Sequence, residues 1–265
     1  GVGLIITEGT TVPHAGASGY PAVPQCHGEE AMAGWKNVVE AVHAAGGHIM
    51  PQLWHVGSVR QLGAEPDPSV PGCGPSAVIN PGARGATQPP SAMTESDIAD
   101  VIAAFASAAR QAERAGFDGV GIHGAHGYVI DQFFWSTTNH RTDTWGGSLR
   151  ARTRFGEEIV RAVRAAVAPD FPIVFRFSQW KMGDYHHKVA GTPDELQEWL
   201  TPLADAGVTA FHASQRRFWE PEFPGSELNL AGWTQRLMDK PTITVGSVGL
   251  HSDFISSFGG KHPEA

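Results

Sequence analysis

Between Gly116 and Phe134 the chain reads GFDGVGIHGAHGYVIDQFF, which puts His123, His126 and Tyr128 where an apolar run gives way to glycines. Two imidazoles so placed can ligate a metal, act as a base with its helper, or donate hydrogen bonds to a substrate oxygen. The metal reading needs more ligands, and His55 and His212, at other strand ends, are the candidates. No HExxH is present, and neither His123 nor His126 has a close acidic neighbour in sequence. The bland reading makes both of them ordinary satisfied residues in a chain with 13 histidines.

These residues sit in 265 residues, 41% of them hydrophobic, with a net charge of -8. That charge, without any basic stripe, speaks against nucleic acid as a partner. No apolar run approaches the roughly 20 residues that span a bilayer, so no membrane partner is expected. The opening GVGLIITEGTTVPH has no basic leader. Cys26 and Cys73 lie outside any CxxC spacing, so cysteine builds neither a zinc site nor an iron–sulfur cluster, and a reducing, cytoplasmic location is expected.

Strand-like and helix-like segments alternate along the chain. GLIITEGT, HIMPQLWH, FDGVGIHG, FPIVFRFS, VTAFHAS and PTITVGSVG read as strands. GEEAMAGWKNVVEAVHAAGG has helical spacing, with Ala33, Val38, Val42 and Ala45 as its apolar positions. TESDIADVIAAFASAARQAERAG is the clearest helix, with Thr94 as N-cap and Gly116 as its stop. LRARTRFGEEIVRAVRAAV and TPDELQEWLTPLADAG follow as helices. The segments from Gly63 to Pro90 and from Gln215 to Gly232 read as long functional loops. Continuously apolar strands alternating with helices predict a parallel sheet covered on its faces. No GxGxxG follows the first strand, which favours a (β/α)8 TIM barrel, about six strand–helix units of it, over a doubly wound sheet. Polar residues gather at the strand ends (Glu8, Gln52 to His55, His123 to Tyr128, Arg176 to Ser178, His212 to Ser214, Gly246 to Ser247), as expected of one pocket at one end of a barrel.

In order and spacing, GLIITEGT, AVHAAGGHIMPQLWHVG, GPSAV, AGFDGVGIHGAHGYVIDQFF, NHRTDTWGGSLRARTRF and PIVFRFS resemble the Old Yellow Enzyme family, to about Gly249. The resemblance implies a single FMN-binding TIM-barrel domain over 1–265. It implies reduction of activated C=C bonds, in α,β-unsaturated carbonyls or nitro compounds, with NADPH or NADH as reductant. His123 and His126 are then the donors to the substrate's carbonyl or nitro oxygen, where negative charge builds in the transition state. Tyr128 is then the proton donor to the α-carbon, or, on the bland reading, a pocket-wall aromatic. For the cofactor, Gln52 is implied at the pyrimidine edge and Arg176 beside the N1/O2 locus. Gly9 is implied where the backbone nears the ring, and Gly246 and Ser247 at the phosphate. Trp54 is implied in the substrate pocket, though core packing would equally explain it. Arg141, Asp143 and Gly146-Gly147 are read as scaffold. A small-molecule substrate is the expected partner, and a homo-oligomer is left open.

Some positions depart from the family pattern. His126 stands where many members have asparagine, Gly121 where glutamate is common, and Ser58 where arginine is usual. Trp145 replaces tyrosine, Ala151 asparagine and Gln179 proline. The family's first strand is not found before Gly1, nor its closing βα unit with a Gly-Arg after Gly249. The chain is thus expected to be a fragment of a longer barrel, and this segment alone to bind FMN weakly. A thermal-shift titration showing large, saturable stabilisation by FMN would contradict that. Two alternatives stay open: a metal-dependent TIM-barrel hydrolase using His55, His123, His126 and His212, and a non-catalytic truncated relative.

Overall fold

The structure, a computed structural model, describes residues 2–249. In chain order the elements are β1 (Leu4–Thr11), α1 (Glu29–Ala44), β2 (His48–Trp54), β3 (Cys73–Gly74), β4 (Ser91–Ala92), α2 (Glu95–Arg114), β5 (Val120–His126), α3 (Val129–Phe134), α4 (Leu149–Ala166), β6 (Ile173–Lys181), α5 (Pro193–Asp205), β7 (Ala210–Ser214), α6 (Leu230–Met238) and β8 (Thr242–Val245). The main sheet is six-stranded and parallel, in the order β1-β2-β5-β6-β7-β8, with β3 and β4 forming a separate pair. Each new strand joins on the same side as the last. A doubly wound sheet would reverse direction part-way, so this is an arc of a barrel. Helices α2, α4, α5 and α6 pack side by side in the same order outside it.

Local chemistry explains the helix ends. Thr94 accepts from Asp97 N while the Asp97 carboxylate accepts from Thr94 N, a capping box at the start of α2. Ser148, Thr192 and Asn229 cap α4, α5 and α6 by accepting from the backbone N–H of Ala151, Glu195 and Gly232. The apolar stripe of α1 differs from the expected one. Ala33, Val38 and Ala45 are exposed, Val42 is half-buried, and the face that packs is Met32, Trp35, Val39 and Val42. The Trp35 ring, 5.5 Å from that of Phe117, settles which face turns inward.

Strands β2, β5, β6 and β7 are almost wholly buried, while the edge strands β1 and β8 are only partly so. Glu8 is exposed, short of the strand end where it was expected. The short α3 and the helix α6, which closes the supposed 215–232 loop, are additions to the sequence reading. The 63–90 segment is organised around Arg60, whose buried guanidinium donates to the carbonyls of Ser18, Ala64, Glu65, Asp67 and Val70. Arg141 ties the later loop down by donating to Pro75 O, Met93 O and Asp143. A Cβ on Gly146 would collide with the Arg141 carbonyl, so this motif is scaffold.

Candidate active site

The C-terminal ends of β2, β5, β6 and β7 bring the candidate residues together. Gln52 on β2 and Arg176 on β6 flank β5, and the Arg176 guanidinium donates to Gln52 Oε1 at 2.9 Å. Gln52 is held from its other side by Thr7, whose hydroxyl accepts from Gln52 N and whose carbonyl accepts from the side-chain amide. His123 is in register with Arg176. The His123 ring lies 5.0 Å from that of His126 and 5.3 Å from that of Tyr128.

The turn that carries the phenol is held in an unusual backbone shape. His126 has φ +63° and Gly127 φ +80°, consecutive left-handed residues that reverse the chain between β5 and α3. Hydrogen bonds from both sides fix it. His126 N donates to Ser178 Oγ at 3.0 Å, Gly127 N to Asp131 Oδ2 at 2.7 Å, and Met182 N to the His126 carbonyl. Asp131 is itself paired with Lys181 at 2.6 Å, and both side chains are wholly buried.

Around Tyr128 stands an aromatic wall. Trp54 meets it edge-on at 5.1 Å, Tyr20 stacks on Trp54 at 5.7 Å, and the two tyrosine hydroxyls are 3.3 Å apart. Tyr20 and Met182 also line a neighbouring cavity of about 470 Å³, whose other walls, Val59, Gln61, Arg84 and Tyr185 among them, do not include His123, His126 or Tyr128. The close neighbour that requires glycine at position 9 is the Trp54 indole, which a Cβ there would approach to 2.7 Å. Gly246 and Ser247 follow Val245, the register partner of Ser214, and so lie one strand further along the mouth. Ser247 Oγ donates to the Arg216 carbonyl. Residues after Gly249, where a closing Gly-Arg was not found, lie outside the described residues.

Electrostatically the mouth keeps its histidines neutral. Burial, then the Arg176 guanidinium and the neighbouring His212, push His123 well below the usual histidine pKa. Burial, then His123 and Arg176, do the same to His126. His212 is pushed down to about 4 by burial and Arg176. Burial, then the hydrogen bond with Tyr20, push the Tyr128 phenol up. It is therefore a protonated donor across the whole physiological range.

The four-histidine metal set does not assemble. His55 Nε2 is 2.9 Å from His14 Nδ1, and its Nδ1 accepts from Gly57 N, so both ring nitrogens are engaged elsewhere. No group of three or more metal-ligating side chains converges among the described residues.

The mouth does contain polar atoms that await a partner. His123 Nδ1 and Arg176 Nε are buried without any hydrogen bond, a costly state that native structures rarely tolerate. With the Gln52 amide, they form a polar surface whose donor set matches a flat heterocycle rich in acceptors. The residues present fit FMN.

The sequence profile of the NADH:flavin oxidoreductase / NADH oxidase family matches residues 1–257. The chain belongs to that family. It is 35% identical over 263 residues, 94% of its own length and 66% of the relative, to "Probable inactive reductase easA" of Epichloe festucae var. lolii. It is 42% identical over 176 residues to 12-oxophytodienoate reductase 7 of Oryza sativa subsp. japonica, covering 63% of this chain and 44% of the relative. Among solved structures, morphinone reductase in complex with tetrahydroNAD superposes with a TM-score of 0.73 at 28% identity, covering 92% of this chain and 74% of that one. The chain thus spans between 44% and 66% of the length of these two curated relatives. The resemblance read from the motifs, and the barrel it implied, hold.

Several residues of the site escaped the sequence reading. Ser178 and Ser214 stood inside the strand-end clusters but were given no role. Asp131 carried a usable signal, as a charge inside the apolar run YVIDQFF, whereas Lys181, in RFSQWKMGD, carried little. Tyr20 carried none, being one residue of a Gly/Pro-rich loop that only the fold delivers to Tyr128.

Proposed function

We propose that the protein is an FMN-dependent oxidoreductase of the ene-reductase type, a single FMN-binding barrel domain that reduces activated C=C bonds with NADPH or NADH as the electron source. The observation that carries this reading is the convergence of the neutral His123–His126 pair and the Tyr128 phenol next to the joined Gln52 and Arg176. When bound, FMN would supply the hydride chemistry; Gln52 and Arg176 would hold its ring, and Gly9, Gly246 and Ser247 would border it. A fixed guanidinium beside the ring favours its anionic reduced form.

This chain's own residues then do the rest. His123 and His126 donate to the carbonyl or nitro oxygen of the substrate, on which negative charge develops. Neutral imidazoles suit this task, since each offers an N–H without itself surrendering a proton to the enolate-like oxygen. Tyr128 delivers its proton to the α-carbon, and the raised pKa of the phenol matches a strongly basic acceptor. Trp54, Tyr20 and Met182 supply apolar walls that exclude water. A cytoplasmic location and a small-molecule substrate complete the reading; no helix among the described residues is long and apolar enough to cross a membrane.

A second reading, a non-catalytic relative, is favoured by the likeness to a reductase whose name marks it as inactive. One experiment separates the two. Purified full-length protein should be yellow, be bleached anaerobically by NADPH or NADH, and regain colour on adding a cyclic enone or nitroalkene. A colourless protein removes the flavin reading. A yellow protein that is bleached but never reoxidised by any alkene supports the inactive one.

A further inference from the structure

Ser214 closes β7, is buried, and holds its hydroxyl oxygen 2.8 Å from Nε2 of His126. Among the described residues that nitrogen is the only hydrogen-bond partner of the Ser214 hydroxyl. A buried hydroxyl whose one protein partner is an imidazole nitrogen satisfies its hydrogen by donating to that nitrogen. Nε2 must then carry the lone pair.

The His126 ring has little freedom to escape this contact. It is stacked on the Trp180 indole at 4.5 Å and 26°, and Trp180 Nε1 donates to the Ser214 carbonyl. The backbone below it is fixed by Ser178. A neutral imidazole has a single N–H, so the position of that proton decides whether the ring can donate to a substrate at all. With the proton on Nε2, the N–H would be spent on the serine and only a lone pair would remain for the substrate oxygen.

We propose that Ser214 is a positioning residue: its hydroxyl donates to Nε2 of His126 and so places the single ring proton on Nδ1, the nitrogen left to donate to the substrate oxygen. The inference rests on the oxyanion reading of the His123–His126 pair for its purpose, but the proton's location can be measured without any flavin or substrate. His123 serves as an internal control, since among the described residues its Nδ1 has no hydrogen-bond partner and no hydrogen bond joins its ring to Ser214 or to His126.

The test uses the full-length protein with 15N-labelled histidine, His126 being assigned by its absence in His126→Asn. Two-bond 1H–15N correlations distinguish the tautomers directly. Wild type should show His126 protonated on Nδ1. Ser214→Ala should move it to the Nε2–H form that free histidine prefers, while Ser214→Thr, which keeps the hydroxyl, should retain Nδ1–H. His123 should not change in either variant. A wild-type His126 in the Nε2–H form, or a tautomer unmoved by Ser214→Ala, overturns the proposal, and the wild-type spectrum decides even if the alanine variant misfolds. In the FMN-loaded protein, Ser214→Ala should weaken para-substituted phenol binding, read by its charge-transfer absorbance, by about tenfold, the worth of one ordinary hydrogen bond. A shifted tautomer with unchanged phenol affinity would leave the serine's role standing and refute the oxyanion reading.

Discussion

Histidines gather at both ends of the sheet, and the two groups are built in opposite ways. At the N-terminal rim, His48 opens β2 and His43 lies in the last turn of α1, and both rings hydrogen-bond Asp118, at 3.0 and 2.8 Å. Those rings are solvent-exposed, and Asp118 also accepts from Ile49 N. At the C-terminal mouth, His123 and His212 are buried beside the Arg176 guanidinium, with no carboxylate against them among the described residues and with a ring nitrogen of His123 unsatisfied. The rim cluster is closed on itself and contributes stability. The mouth cluster is left incomplete at an energetic cost, which marks it as a place for a ligand.

Four substitutions test this contrast, in descending order of expected effect. Tyr128→Phe should slow alkene reduction by about 10²–10⁴ while leaving reduction of the flavin by nicotinamide nearly unchanged, as stopped-flow measurement of the two half-reactions will show. Equal losses in both would refute the proton-donor role. Lys181→Met leaves Asp131 buried without its cation beside the turn that carries Tyr128, and should lower stability by about 3–5 kcal/mol, read by chemical denaturation. A loss below about 1 kcal/mol would mean that Asp131 is satisfied without Lys181. His123→Ala should cost about 10²–10³ in turnover with almost no loss of stability; unfolding instead would assign His123 to the core and erase the contrast.

The rim gives the smallest effect. Burial works against the Asp118 carboxylate, but the hydrogen bonds from His43, Ile49 N and His48 prevail and hold it at about 2, against an ordinary 3.8. A group with a depressed folded pKa stabilises the fold above its unfolded value, and that contribution drains away as pH falls from about 4 towards 2. Asp118→Asn should therefore lower stability by about 1–2 kcal/mol at neutral pH, shrink to no effect near pH 2, and leave turnover untouched. Loss of activity in this variant would show that the two ends are coupled.

Most of the frame was legible in the sequence because it depends on local signals. Parallel strands announce themselves as uninterrupted apolar runs, and Thr94 with Asp97 announces the start of α2. The face of α1 was misread because a periodicity of alanines and valines fits more than one register, and the bulky Met32 and Trp35 decide which packs. Helix α6 was missed because its sequence, LAGWTQRLM, is short and carries a glycine. The imidazoles, the phenol, Gln52 and Arg176 stood out as polar groups toward the C-terminal ends of strand-like runs, but their separate roles came from the family resemblance and not from local pattern.

By itself the sequence determined which chemistry-bearing side chains stand at the ends of consecutive parallel strands. That is a property of order along the chain, written in period and polarity. Only the tertiary structure decided what each of them touches. It joined Arg176 to Gln52 across the intervening strand, delivered Tyr20 to Tyr128, and set Ser214 against His126. The reason is that hydrogen-bond partners are chosen by differences of a few tenths of an ångström in the separation of groups far apart in sequence, and no local pattern encodes such differences.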